Sequence, residues 1–363
     1  MSAPDRSAEG DAGTERLLAD FAAGRRVALA RVISVVENQR PGFRAILHAL
    51  HGRLGRAHRI GITGPPGAGK STLSAALIAH YRTRGERVAV IAVDPTSPFT
   101  GGALLGDRIR MNESSLDEGV FIRSMATRGS VGGLAVATSE VADVIDAFGF
   151  DRVLVETVGV GQSELDVAAA TDATVVVLVP ESGDAIQAMK AGLLEAADLF
   201  VINKSDRPGA DRLARDLGTM LQLRSGRALR SVPAHHGVDL RRAREETPRR
   251  AGAEPPSPAT PAAPARWEIP VLQTVADAGT GVAELADALD RHRAWLGASG
   301  ELSRRRRRRL AERVREEVGR ALLQRVWHER GGSAAMEAAL PDLETGAVTP
   351  YEVAARIVRA LGS

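Results

Sequence analysis

Cysteine is absent from this chain of 363 residues. No disulfide and no thiolate metal site can therefore form. Aromatic residues make up only 3% of the sequence, whereas a nucleic-acid surface sets basic residues beside aromatic ones. The one dense basic cluster, Arg304 to Arg309, reads instead as a solvated helix start outside the catalytic domain. No uninterrupted apolar run is long enough to span a bilayer. Met1 to Gly13 is polar and lacks the charged-then-apolar order of a secretion signal. Together these absences predict a cytoplasmic protein that binds neither nucleic acid nor membrane.

Lysine is nearly absent too. Lys70, Lys190 and Lys204 stand alone in a chain with 48 basic residues against 45 acidic ones, a net charge of +3. Asparagine is as scarce, at Asn38, Asn112 and Asn203. Two of the three lysines, Lys70 and Lys204, fall in nucleotide-motif positions where a compact charge or a bare aliphatic stem is required that arginine cannot supply.

What is present is organised around Gly64-Pro65-Pro66-Gly67-Ala68-Gly69-Lys70-Ser71. This run follows the apolar stretch Ile60 to Thr63 and opens a helical pattern at Thr72. Strand, glycine-rich turn and Lys-Ser at a helix start form the context of a phosphate-binding P-loop. Backbone N–H groups at the positive end of a helix converge there on a phosphate chain. Pro65 and Pro66 carry no N–H, so the donors run from Gly67 to Ser71. Lys70 is placed to reach the β- and γ-phosphates, and the Ser71 hydroxyl to bind magnesium. Gly64 to Thr72 is thus the expected nucleotide-binding stretch.

The pattern before residue 57 is helical, with apolar turns at Leu17, Leu18 and Phe21 and at Val27 to Val36. From 57 to 296, apolar strands alternate with helices, which predicts an α/β domain with a mostly parallel sheet covered on both faces. The expected strands are Ile60–Thr63, Val88–Val93, Val120–Arg123, Val153–Glu156, Thr174–Val179, Leu199–Asn203 and Val271–Thr274. Residues 235–266 are rich in Pro, Ala and Ser and read as a flexible insertion. His235-His236 falls there and reads as inert. Residues 297–363 read as a helical arm, with Leu310, Val314, Val318, Leu322 and Val326 as an apolar stripe. The arm either folds back or, as expected here, pairs two chains into a homodimer.

Ligands in such sheets sit beyond the carboxyl ends of the strands. Asn203-Lys204-Ser205-Asp206 matches the N-K-x-D pattern that reads guanine. The Asp206 carboxylate would accept from guanine N1–H and its N2 amine, Asn203 would fix the loop, and the Lys204 stem would lie along the purine. The strand-end carboxylates Asp94 and Glu156, with Asp107 as a further candidate, suit magnesium alongside Ser71. Lys190 follows Glu181-Ser182-Gly183-Asp184 on a segment leaving a strand end. Asp184 and Lys190 are accordingly expected to act as a catalytic switch that senses nucleotide or a partner.

The blocks Gly61 to Ser71, Asp94 to Gly102, Phe121 to Gly129, Val155 to Glu164 and Val201 to Lys204 resemble the MeaB/ArgK family of P-loop GTPases. The resemblance covers roughly residues 17–295. It implies GTP hydrolysis with magnesium held by Ser71, Asp94, Asp107 and Glu156. It also implies switch segments at Asp94 to Arg110, Glu156 to Glu164 and Pro180 to Lys190, and an adenosylcobalamin-dependent acyl-CoA mutase as client. Three features depart from the family pattern: the insertion, the six-arginine run, and Thr274-Val275-Ala276 where Ser-Ala is usual in the last guanine-side loop. Ala276 N–H is still expected near the base. Two other readings of the same P-loop stay open, a metallochaperone GTPase and a protein kinase. The absence of Cys-His ligands argues against the first and Asp206 against the second.

Overall fold

The computed structural model describes residues 6–94, 117–126, 133–157, 163–182, 195–224 and 266–360. Asp107, Asp184, Lys190 and the 235–265 stretch lie outside the described residues.

Seven strands form one sheet: β1 (His58–Thr63), β2 (Val88–Asp94), β3 (Val120–Ala126), β4 (Arg152–Thr157), β5 (Ala173–Leu178), β6 (Leu199–Asn203) and β7 (Val271–Thr274). Their order is β3-β2-β4-β1-β5-β6-β7, and every pairing is parallel. Strands β1, β4, β5 and β6 are buried at every position. That is why they read in the sequence as near-continuous apolar runs rather than alternating ones.

Helices cover both faces. On one, α1 (Arg6–Ala22), α2 (Arg26–Glu37), α3 (Phe43–Leu50) and α5 (Gly133–Phe148) enclose a core. Phe21, Leu29 and Ile33 meet Ile91, Val153, Val155 and Ile145 there. On the other, α4 (Lys70–Thr83) and α8 (Val282–Ala298) pack Leu73, Leu77, Tyr81 and Leu285 onto Ile60, Ile62, Val90 and Leu154. Helix α7 (Ala210–Arg224) covers β5 and β6 through Leu213 and Leu217. The short α6 (Ser163–Ala170) precedes β5.

The N-terminal helices share the core of the sheet, and Asp146 of α5 fastens the chain between them and β1. Its carboxylate accepts the N–H groups of Gly55, Arg56 and Ala57 at 2.8, 3.1 and 2.9 Å, and Arg59 at 3.1 Å. Arg59 also pairs with Asp143 at 2.7 Å. A fully buried carboxylate is tolerable only when satisfied in this way.

Compact units divide at residues 302 and 303. The second holds most of α9 (Glu301–Gln324), then a π-turn at Arg325–Glu329, α10 (Gly332–Glu344) and α11 (Pro350–Arg359). Val326, Val353 and Ile357 make its small core, and a capping box of Thr349 and Glu352 starts α11. Leu310, Val314, Val318 and Leu322 are 46–63% exposed. Val326, the fifth member of the expected stripe, turns inward instead because the π-turn rotates it into the local core. No described helix is long and apolar enough to cross a membrane.

Candidate nucleotide site

The central strand β1 runs into the P-loop, which closes onto the start of α4. Gly67 and Gly69 adopt left-handed backbone angles, φ 75° and 86°, which side-chain-bearing residues reach only at a cost. At Gly69 the lack of a side chain is also a matter of space, because a Cβ there would collide with the Asn203 amide. Lys70 is buried, and its Nζ donates to the carbonyls of Gly64 at 2.8 Å and Pro65 at 3.1 Å. The loop thereby holds the ammonium across its own mouth. Ser71 and Thr72 follow on the first turn of α4, half-buried.

The segments expected to read the base come from the ends of β6 and β7, and Asn203 knots them to the P-loop. Its Nδ2 donates to Ala68 O at 2.9 Å. Its Oδ1 accepts from the Thr274 hydroxyl and from Ala276 N–H, both at 3.1 Å. Ala276 N–H, expected toward the base, is thus engaged by Asn203. Lys204 takes a left-handed conformation at φ 56°, unusual for a side-chain-bearing residue, and its Nζ donates to Gly67 O at 2.9 Å. Asp206 is exposed two residues on. Ser205 N–H donates to Thr274 O at 3.1 Å, which joins the two loops a second time.

The missing serine of the last loop has a backbone substitute. Val275 and Thr280 form an antiparallel bridge, with Val275 N–H to Thr280 O at 3.0 Å and Thr280 N–H to Val275 O at 3.2 Å. The bridge closes the loop through backbone bonds alone, and the Thr274 hydroxyl one residue earlier donates to Asn203.

Beside the phosphate end, β4 carries Glu156, fully buried, between Ile62 of β1 and Ala92 of β2 in the strand register. Its Oε2 accepts the Ser74 hydroxyl of α4 at 2.6 Å, within the range of charge-assisted O–H···O⁻ bonds. Asp94 ends β2, two residues past Ala92. The topology thus brings the Asp94 and Glu156 positions to the same sheet edge as the P-loop. Among the described residues no three His, Cys, Asp or Glu side chains form a metal-binding cluster. Magnesium at a P-loop does not require one, because hydroxyl, carboxylate and phosphate oxygens share its shell. The hard oxygen donors of Ser71 and Glu156 fit that ion.

An ion pair spans the loop after β6 and the segment after β5: Arg207 donates to Glu181 at 2.7 Å. That hydrogen bond holds the Glu181 carboxyl below its ordinary range. Ser74 and Arg207 lie outside the expected site residues, whereas Glu181 falls in the expected Pro180 to Lys190 segment and Thr274 in the last base-side loop, neither with a role assigned from the sequence. Ser74 had a local signal, a serine three residues after Ser71 in a buried helix face, but its partner is distant in sequence.

The family described as "Methylmalonyl Co-A mutase-associated GTPase MeaB" matches residues 29–331. A Pyrococcus abyssi protein named as a candidate GTPase is 46% identical over 301 residues, 83% of this chain and 82% of that one. The methylmalonic aciduria type A homolog of Mus musculus is 33% identical over 308 residues, 80% and 66% of the two chains. The crystal structure of a LAO/AO transport system kinase superposes with a TM-score of 0.63 at 25% identity, covering all of both chains.

Proposed function

The chain belongs to the MeaB family of methylmalonyl-CoA mutase-associated GTPases, and from that premise we propose that it couples magnesium-dependent GTP hydrolysis to the service of an adenosylcobalamin-dependent acyl-CoA mutase. In this reading the GTPase cycle gates loading of the cobalamin cofactor into the mutase, or protects the loaded enzyme. The Asn203 knot carries the nucleotide half. A residue that grips Ala68 of the P-loop with one end of its amide and Thr274 and Ala276 with the other makes phosphate binding and base reading one structural event.

Each residue has a stated task. N–H groups from Gly67 to Ser71 receive the phosphates at the N-terminus of α4. Lys70 exchanges its carbonyl partners for β- and γ-phosphate oxygens. Ser71, Asp94, Glu156 and Asp107 would hold magnesium, which supplies neutralisation of the charge that develops on the phosphoryl group. Asp206 selects guanine, and Lys204, strapped to Gly67, lies along the purine. The nucleophile is water, positioned rather than activated by a strong base. Asp184 and Lys190 are proposed to relay nucleotide state to the mutase, with the Arg207–Glu181 pair joining the base loop to the start of that segment. The exposed stripe on α9 supports a homodimer formed by the arm, which sedimentation would detect.

The client is tested by GTP turnover with and without purified adenosylcobalamin-dependent methylmalonyl-CoA mutase. Stimulation of hydrolysis, lost in Lys190→Ala, is expected. No stimulation by any such mutase would overturn the client assignment and leave the GTPase itself standing.

A further inference from the structure

Serine is a poor choice for the middle of a helix, where its hydroxyl ordinarily bonds back to its own backbone. Ser74 of α4 does something else. It is fully buried, and its hydroxyl reaches across 82 residues of chain to Glu156 Oε2 at 2.6 Å. It stands three residues after Ser71, and residues at that spacing are neighbours on a helix surface. Glu156 is fully buried too. A glutamate has one more rotatable bond than an aspartate, so its carboxylate reaches a defined place only if something holds it.

We propose that Ser74 is a positioning residue, whose hydroxyl holds the Glu156 carboxylate beside Ser71 in the orientation that magnesium–nucleotide requires. The inference rests on the nucleotide reading above and adds a residue to it. One carboxylate oxygen is tied to α4, the helix that also presents Lys70 and Ser71, so the strand-borne and helix-borne parts of the site move as one body. Ser74 does not touch nucleotide. It acts through Glu156.

The experiment is equilibrium binding of a fluorescent GDP analogue to the full-length protein, titrated with free Mg²⁺ and repeated in EDTA. Wild type, Ser74→Ala, Ser74→Thr, Ser74→Cys and Glu156→Gln are compared, with thermal melts in EDTA as a control. In EDTA the serine variants should bind as wild type does. With Mg²⁺ the gain in affinity should be about tenfold smaller in Ser74→Ala, the scale of a lost hydrogen bond to a charged group. Ser74→Thr should restore most of it, and Ser74→Ala should add little to the effect of Glu156→Gln. If the alanine variant does not fold, Ser74→Cys, which keeps the volume and donates only weakly, should show the same loss. An Mg²⁺ response identical to wild type, or an equal loss in EDTA, overturns the proposal. A wild-type protein whose binding ignores Mg²⁺ overturns the nucleotide reading and this inference with it. A responsive wild type beside an unaltered Ser74→Ala overturns this inference alone.

Discussion

Replacing Asn203 with alanine should do more harm than any other single change on the guanine side. The amide is buried and makes three bonds, to Ala68 O, from Thr274 Oγ1 and from Ala276 N–H. All three partners are buried, so water cannot readily replace what alanine removes. An orphaned buried polar group costs about 1–3 kcal/mol, which sets the total at about 3 kcal/mol or more. For a domain of this size about 1 kcal/mol shifts melting by roughly 2–4 °C, so a drop of at least about 6 °C is expected. If nucleotide must re-order the loops at that cost, GDP affinity falls about 100-fold. Thr274→Val is the graded control. It keeps the volume and removes only one of the two donors to Asn203 Oδ1, so about 1 kcal/mol and less than tenfold in affinity are expected. Differential scanning fluorimetry and titration calorimetry read both quantities. An Asn203→Ala protein that melts and binds as wild type does, or a Thr274→Val protein as impaired as Asn203→Ala, would refute the knot.

Three further outcomes are expected. Asp206→Asn should weaken GTP and favour xanthosine triphosphate in competition binding, because one of two acceptors becomes a donor; retained preference for GTP would contradict the role of Asp206. Lys70→Ala should lower turnover by about 10²-fold or more while circular dichroism stays native, and unchanged turnover would remove the P-loop from the chemistry. Burial, assisted by nearby Arg152, Arg293 and His292 against the opposing pull of Asp172, lowers the His58 pKa from 6.5 to about 3. Between those values the unfolded chain takes up a proton that the folded chain refuses, so stability rises with pH across the window and levels off above it. The His58 contribution to the slope is about 1.4 kcal/mol per pH unit, and denaturant titrations of His58→Gln should show it reduced.

The legible parts were those whose cause is local. The P-loop declares itself over eight consecutive residues, because loop, helix start and phosphate donors are contiguous. The inner strands β1, β4, β5 and β6 were visible because burial on both faces leaves a largely apolar run; the edge strand β7 is only partly buried, and across all seven the observed ends differ from expectation by at most three residues. The hidden parts are pairings between distant segments. The N-K-x-D pattern gives Asn203 the task of fixing its own loop, but its grip on Ala68 depends on the sheet placing β6 within reach of the P-loop. Ser74 and Glu156 carry no mutual mark in the sequence, since α4 and β4 meet only after the sheet is wound. The same is true of Asp146, an ordinary helix acid until the backbone of Gly55 to Ala57 folds onto it. Val275 looked like a loss because the usual hydroxyl was missing, whereas the Val275–Thr280 bridge is a backbone device that side-chain identity does not announce.

The central claim is that one knot of loops binds phosphate and selects guanine. Steady-state hydrolysis of GTP and ATP by the wild-type protein in Mg²⁺, compared as kcat/KM, tests it most directly. A site built to hydrogen-bond its substrate rejects analogues that leave its buried polar groups unpaired. GTP is therefore expected to be preferred by about 100-fold or more. Equal kcat/KM for the two nucleotides would contradict the claim.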